Sequence, residues 1–131
     1  MNQKPFIIYK SSAGSGKTYT LTLEYLKLAL QNPRSGFKQI LAVTFTNKAT
    51  AEMKERILEV LERLSHGVKQ GEFLDEELMK HLKLDEKQLQ SRARETLLSI
   101  LHGYGYFSVS TIDSFFQKVI RSFAREMDLQ A

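Results

Sequence analysis

The chain has 131 residues, 42% of them apolar and 26% charged, with a formal net charge of +4. These are the proportions of one soluble globular domain, or a piece of a larger one, and the positive balance leans toward polyanionic partners. No apolar run is long enough for a membrane span, the start "MNQKPFIIYK" is not a signal peptide, and the lack of cysteine excludes disulfides and thiolate metal sites and fits a reducing cytoplasm.

"FIIY", residues 6–9, is short and apolar and reads as a buried strand. "SSAGSGKTYT" follows at 11–20. From Lys17 to about Leu30 apolar residues crowd most faces, which suits a helix covered on more than one side. Asn32-Pro33 and Ser35-Gly36 end it. "QILAVTF", 39–45, is a second buried strand. Residues 47–64 form an amphipathic helix with Met53, Ile57, Val60, Leu61 and Leu64 on one face and Glu52–Arg56 and Glu59–Arg63 as wet i,i+4 pairs.

Residues 65–72 hold two glycines and read as a loop. Leu74, Leu78 and Leu82 mark a short helix, and Leu89, Ala93, Leu97 and Ile100 another that ends near Gly103. "YFSVS", 106–110, alternates as a third strand. Ile112, Phe115, Val119, Phe123 and Met127 then trace the apolar face of a last helix, with Ser110 and Asp113 as its capping box. Strand, glycine loop, helix, strand, helix implies an α/β fold: a short parallel sheet flanked by helices.

The glycine loop carries the clearest chemistry. Gly14 and Gly16 let successive N–H groups converge on one concavity, which together with the next helix's N-terminus holds a phosphate. Lys17 adds a point charge, and the Thr18 hydroxyl is a magnesium ligand type. Ser11 stands where G-x-x-x-x-G-K-[ST] begins with glycine, yet a strand precedes the loop and a helix follows it. In "TFTNK", 44–48, hydroxyls, an amide and helix N–H groups could hold a backbone phosphate, and Phe45 could stack on a base. The plainer reading makes Thr46 or Asn47 a helix cap and Phe45 a core residue. Ser114, Lys118, Arg121 and Arg125 share a helix edge, as a phosphate-tracking stripe or a solvated face.

The acidic magnesium holder expected after four apolar strand residues is missing. Asp75-Glu76 and Asp85-Glu86 lack strand context, and Asp113 falls in a helix's first turn. His66, His81 and His102 show no metal-ligand spacing and read as surface residues or helix ends.

Taken in order, three stretches resemble superfamily I DNA helicases of the UvrD/Rep family, RecB/AddA-like branch. "SSAGSGKTYTL" is similar to the Walker A motif, "ILAVTFTNKATAEMKERI" to motif Ia, and "STIDSFFQKVIRSFAREMDL" to motif Ib. The resemblance implies a P-loop NTPase (RecA-like) partial domain that takes ATP and Mg2+. Nucleotide would be held by Ala13, Gly14, Ser15, Gly16, Lys17, Thr18 and Tyr19, with Lys17 and Thr18 catalytic and Thr18 on the metal. Thr44, Phe45, Thr46, Asn47, Thr111 and Ser114 would line a single-stranded DNA track. Thr50 replaces a common alanine, and Asp113 a frequent histidine.

The resemblance further implies that residues 1–131 are the N-terminal part of a helicase ATP-binding domain, with a helical segment at 65–104. Walker B and the later domains, a nuclease among them, would lie elsewhere. The full enzyme would be a cytoplasmic ATP-dependent DNA helicase/exonuclease component in repair and recombination. Its partners would be single-stranded DNA and a second helicase/nuclease subunit, with no membrane. The 131 residues alone are expected to be inactive. Two other readings are a small P-loop kinase using Asp113 as base or magnesium holder, and a non-catalytic phosphate- or DNA-binding module.

Overall fold

The computed structural model describes residues 6–8 and 16–127. Three strands form one parallel sheet in the order β1 (Phe6–Ile8), β2 (Leu41–Thr44), β3 (Val109–Thr111). Phe6 pairs with Leu41 and Ala42 with Val109, so β2 is central and its residues 42–44 are buried, as its continuous apolar run requires. Helix α1 (Gly16–Ala29) leads from β1 toward β2, and α2 (Asn47–His66), α3 (Phe73–Leu82) and α4 (Glu86–His102) lie between β2 and β3. Helix α5 (Ile112–Glu126) follows β3 directly.

The core is continuous across these elements. Leu21, Tyr25 and Leu26 of α1, Met53, Ile57 and Leu61 of α2, Leu78 of α3 and Leu89 and Ala93 of α4 belong to one buried cluster. The 65–104 segment is therefore packed into the same core as the sheet. Helix α2 buries the face its periodicity marks, with Val60 half-buried at the margin. Helix α1 is covered on several sides, as its crowded apolar positions imply, by α2 and α3 among others. After α1 the chain turns tightly at Gly36, where a Cβ would come within 3.1 Å of the Ala29 carbonyl oxygen.

Three expectations need correction. The third strand is 109–111 and not 106–110, because Tyr104–Tyr106 closes a 3-10 turn after α4. The cap of α5 is Thr111, whose hydroxyl accepts from the Ser114 N–H at 3.1 Å; the Ser110–Asp113 box lies one residue off. Arg63 does not turn to Glu59 along its own helix. Its two terminal nitrogens donate to Asp75 at 2.9 and 2.6 Å, bridging the end of α2 to the first turn of α3. The Asp75 carboxylate is fully buried and also accepts from the Lys69 N–H at 2.8 Å, which closes the intervening loop. The hydrogen bonding to Asp75 raises the Arg63 pKa further above its ordinary value, outweighing desolvation.

Helix α5 is present as expected. Its apolar face exists, but no residue of the helix is buried, and Phe116, Val119, Ile120, Phe123 and Met127 stand exposed. A groove of about 710 Å³ opens between α5 and the β3 side of the sheet, lined by Leu41, Phe107, Val109, Phe115 and Val119 among others. Ile120→Glu should therefore leave the urea unfolding free energy within about 0.5 kcal/mol of the parent, since that side chain is 65% exposed. A larger loss would mean that Ile120 packs in solution.

Among the described residues two buried polar atoms, the Tyr25 hydroxyl and Thr96 Oγ1, have no hydrogen-bond partner. Burial pushes the Tyr25 phenol well above its ordinary pKa. Its ring meets Phe107 edge to face at 5.8 Å, so the ring is used and the hydroxyl is not. Tyr25→Phe keeps the ring and should stabilise the fold by about 1 kcal/mol, as removal of an unsatisfied buried group does. Chemical denaturation of both forms checks this; a clear loss would reveal a partner for the hydroxyl.

Candidate nucleotide and nucleic-acid site

All three strands run in the same direction, so their C-terminal ends share one edge of the sheet, and α2 and α5 start from that edge. Thr44, the last residue of β2, pairs in register with Thr111, the last of β3. Helix α1 is the next element after β1 and begins at Gly16. In an open α/β sheet ligands bind outside the carboxyl ends of the strands, where helix N-termini present free N–H groups.

The phosphate loop is only partly in view. Ala13, Gly14 and Ser15 lie outside the described residues. Gly16, Lys17 and Thr18 form the first turn of α1, and Tyr19 follows. The first four N–H groups of a helix have no partner within it, so the backbone at 16–19 offers donors to an anion. The Tyr19 ring itself is partly buried and packs against the core. Desolvation raises the pKa of its phenol, and the charges of Glu72 and Asp75 add to the shift. The ring thus lies within the field of the Arg63–Asp75 pair.

At the end of β2 the residues divide into different roles. Thr44 is buried, only 3% exposed, with its hydroxyl 2.6 Å from that of Thr50. It forms part of the frame at the end of β2. Thr46 caps α2, accepting the Ala49 N–H at 3.0 Å, as the plainer reading expected. Phe45 is not a core residue: it is 49% exposed, between two threonines that are both engaged in hydrogen bonds. Asn47 is exposed at the start of α2.

At the end of β3, Thr111 is buried and its hydroxyl bonds Ser114 twice, accepting from the backbone N–H and donating to Oγ at 3.0 Å. Ser114 itself is exposed, and Asp113 is exposed in the first turn of α5. Lys118, Arg121 and Arg125 are all exposed further along that helix. Of the histidines, His66 and His102 end α2 and α4, and no group of three or more potential metal-ligating side chains occurs among the described residues. Sequence reasoning noted Thr50 as a replacement for a common alanine and missed what its hydroxyl does. Its hydroxyl links Thr44 to the Thr46 carbonyl, and a threonine at i+4 from a helix cap was the available signal.

A parallel sheet whose strands feed helices at one edge, with Gly-Lys-Thr opening the helix after the first strand, is the arrangement of a P-loop NTPase. The chain belongs to the UvrD/REP helicase family: its residues 2–131 match the N-terminal domain of that family. It is similar to the RecBCD enzyme subunit RecB of Borreliella burgdorferi, with 32% identity over 93% of this chain and 10% of that protein. It is similar also to an ATP-dependent helicase/nuclease subunit from Clostridium novyi, with 36% identity over 94% of this chain and 8% of that protein. A shorter match, 47% identical over 39% of this chain and 8% of the relative, is to the Gabija protein GajB of Bacillus cereus. The chain thus spans about a tenth or less of the length of the curated relatives it matches. No solved structure matches it. Among the described residues no helix is long and apolar enough to cross a membrane.

Proposed function

We propose that this chain is the nucleotide-gripping and DNA-tracking part of an ATP-dependent DNA helicase, one component of a helicase/nuclease that works in repair and recombination in the cytoplasm. One observation carries the reading. The helix that opens with Gly16-Lys17-Thr18 follows β1, and the exposed ring of Phe45 stands at the C-terminal end of β2, so both belong to the same edge of one sheet. A motor needs its phosphate sensor and its nucleic-acid contact on one rigid frame.

The residues present fit ATP and Mg2+. The first turn of α1 supplies backbone N–H donors for phosphate, Lys17 a cation and Thr18 a hydroxyl for the metal. Magnesium, when bound, neutralises charge on the phosphates. The chain's own groups orient and hold them. Ala13, Gly14, Ser15 and Gly16 complete the grip in this reading, with the backbone of Tyr19. The acidic magnesium holder, the later motor domains and any nuclease come from other parts of the protein, as the much greater length of its relatives suggests. A second subunit of the helicase/nuclease kind is the expected protein partner.

On the DNA side, Phe45 is the base platform, with Asn47 and Ser114 as exposed polar neighbours. Thr44, Thr46 and Thr111 shape the track by holding the two strand ends and helix starts. Phe45→Ala in the whole protein should weaken oligo-dT binding by about 1–3 kcal/mol, and by a similar amount for other base sequences, because stacking tolerates any base. Arg121→Ala should instead lower the salt slope of binding by roughly one unit. Fluorescence anisotropy across a salt series reads both. If Phe45→Ala binds every oligonucleotide as the parent does, the single-strand track does not run over this turn.

A further inference from the structure

The turn that presents Phe45 is held from below by hydroxyls. Thr44 and Thr50 each bring one proton, and their oxygens lie 2.6 Å apart. The Thr46 carbonyl oxygen is within reach of both hydroxyls, 3.1 Å from that of Thr50 and 3.2 Å from that of Thr44, and either threonine can supply the proton between the two. The Thr46 carbonyl also accepts the Thr50 N–H at 3.0 Å. A continuous chain therefore runs from the end of β2, through the first turn of α2, back to the residue that follows Phe45. Thr44 has the Ser110 carbonyl oxygen of β3 at 3.5 Å as a further neighbour. The two residues flanking Phe45 are thus fixed to one side chain four positions into the helix, while the ring between them faces outward.

We infer that Thr50 is a positioning residue for the Phe45 platform: by binding the Thr44 hydroxyl and the Thr46 carbonyl together it holds the turn in the shape that keeps the ring presented to single-stranded DNA. The inference rests on the Phe45 reading above and adds the residue that sets its geometry. Thr50 is half-buried beneath the turn and need not touch DNA itself. Without the Thr50 hydroxyl, Thr44 keeps only the Thr46 and Ser110 carbonyl oxygens, at 3.2 and 3.5 Å, and the Thr46 carbonyl loses its tie to the Thr50 side chain. The turn at 44–46 then loses its side-chain brace from α2, and the ring gains freedom to leave its presented position.

The test uses Thr50→Val, which keeps the shape and removes the hydroxyl, and Thr50→Ser, which keeps the hydroxyl. Oligo-dT affinity of the whole protein should fall about fivefold in Thr50→Val, as for one lost hydrogen bond, and return to within about twofold in Thr50→Ser. In a Phe45→Ala background Thr50→Val should cost nothing more. A 4-fluorophenylalanine placed at position 45 supplies a readout that needs no DNA: its fluorine resonance should shift or broaden in Thr50→Val and not in Thr50→Ser. An unchanged resonance overturns the inference, as does an equal loss in the Phe45→Ala background. A changed resonance with no change in DNA affinity also overturns it as a statement about DNA. If Phe45→Ala alone also leaves affinity intact, the Phe45 reading fails with it.

Discussion

Arg63→Met should destabilise the fold by about 3–5 kcal/mol, the usual cost of breaking a buried ion pair from one side. The size follows from which charge is stranded. Asp75 is fully buried, while the Arg63 side chain keeps about a third of its surface in water at 32% exposure. Removing the guanidinium leaves a carboxylate in the core with the Lys69 N–H as its donor. Removing the carboxylate leaves a guanidinium that water can reach. Asp75→Asn, which retains one acceptor oxygen, should therefore cost less, about 1–3 kcal/mol. Arg63→Met combined with Asp75→Leu should recover part of the loss, because no charge is then left unpaired. Urea unfolding of the three variants gives the order. If Asp75→Asn proves the more damaging, the carboxylate has support beyond Arg63 and Lys69. The Tyr19 ring lies in the field of this pair, so the same variants should also disturb the start of α1.

How much of this was legible in the sequence depends on what each residue meets. The α2 face was readable because its apolar residues pack where the 3.6-residue period places them. The parallel β–α–β order was readable because a fully apolar run that ends at a glycine loop leaves few other choices. The α5 stripe shows the limit of the method. Periodicity gives the side on which a helix is apolar, but it does not say that anything covers that side, and here Ile120 and Phe123 are exposed. Asp75 read as a poor magnesium candidate for lack of strand context, but its role as partner of Arg63 was not legible, because the two are twelve residues apart across a loop that no local pattern predicts. The strand at 106–110 was misplaced because alternation in "YFSVS" extends into a 3-10 turn, where Tyr106 bonds Gly103 and not a neighbouring strand. In "TFTNK" the plainer reading held for one residue and failed for the other. Thr46 is a cap, and Phe45 is not core. Exposure is decided by the curvature of the turn, which residue types alone do not fix.

Lys17→Ala should lower DNA-stimulated ATP turnover of the whole protein on the order of 10²-fold or more, the scale on which loss of one preorganised charge-stabilising group acts. Phosphoryl transfer needs positive charge and donors fixed around the phosphates before reaction. In the first turn of α1 the backbone N–H groups supply the donors, but Lys17 is the only cation from Gly16 to Glu24. Its loss cannot be made good by neighbours in sequence. Oligo-dT affinity without nucleotide should stay within about twofold of the parent, because Phe45 and its hydroxyl frame belong to β2 and α2, and the bonds of that frame run between those two elements. Phe45→Ala should show the reverse pattern: weaker DNA binding, with Mg-ADP affinity unchanged by calorimetry. The pair of variants thus separates the two halves of the edge. If Lys17→Ala turns over ATP as the parent does, the phosphate grip is not at the start of α1. If each variant damages both ligands equally in the absence of the other, the two contacts are one site and not a sensor and a track on a common sheet.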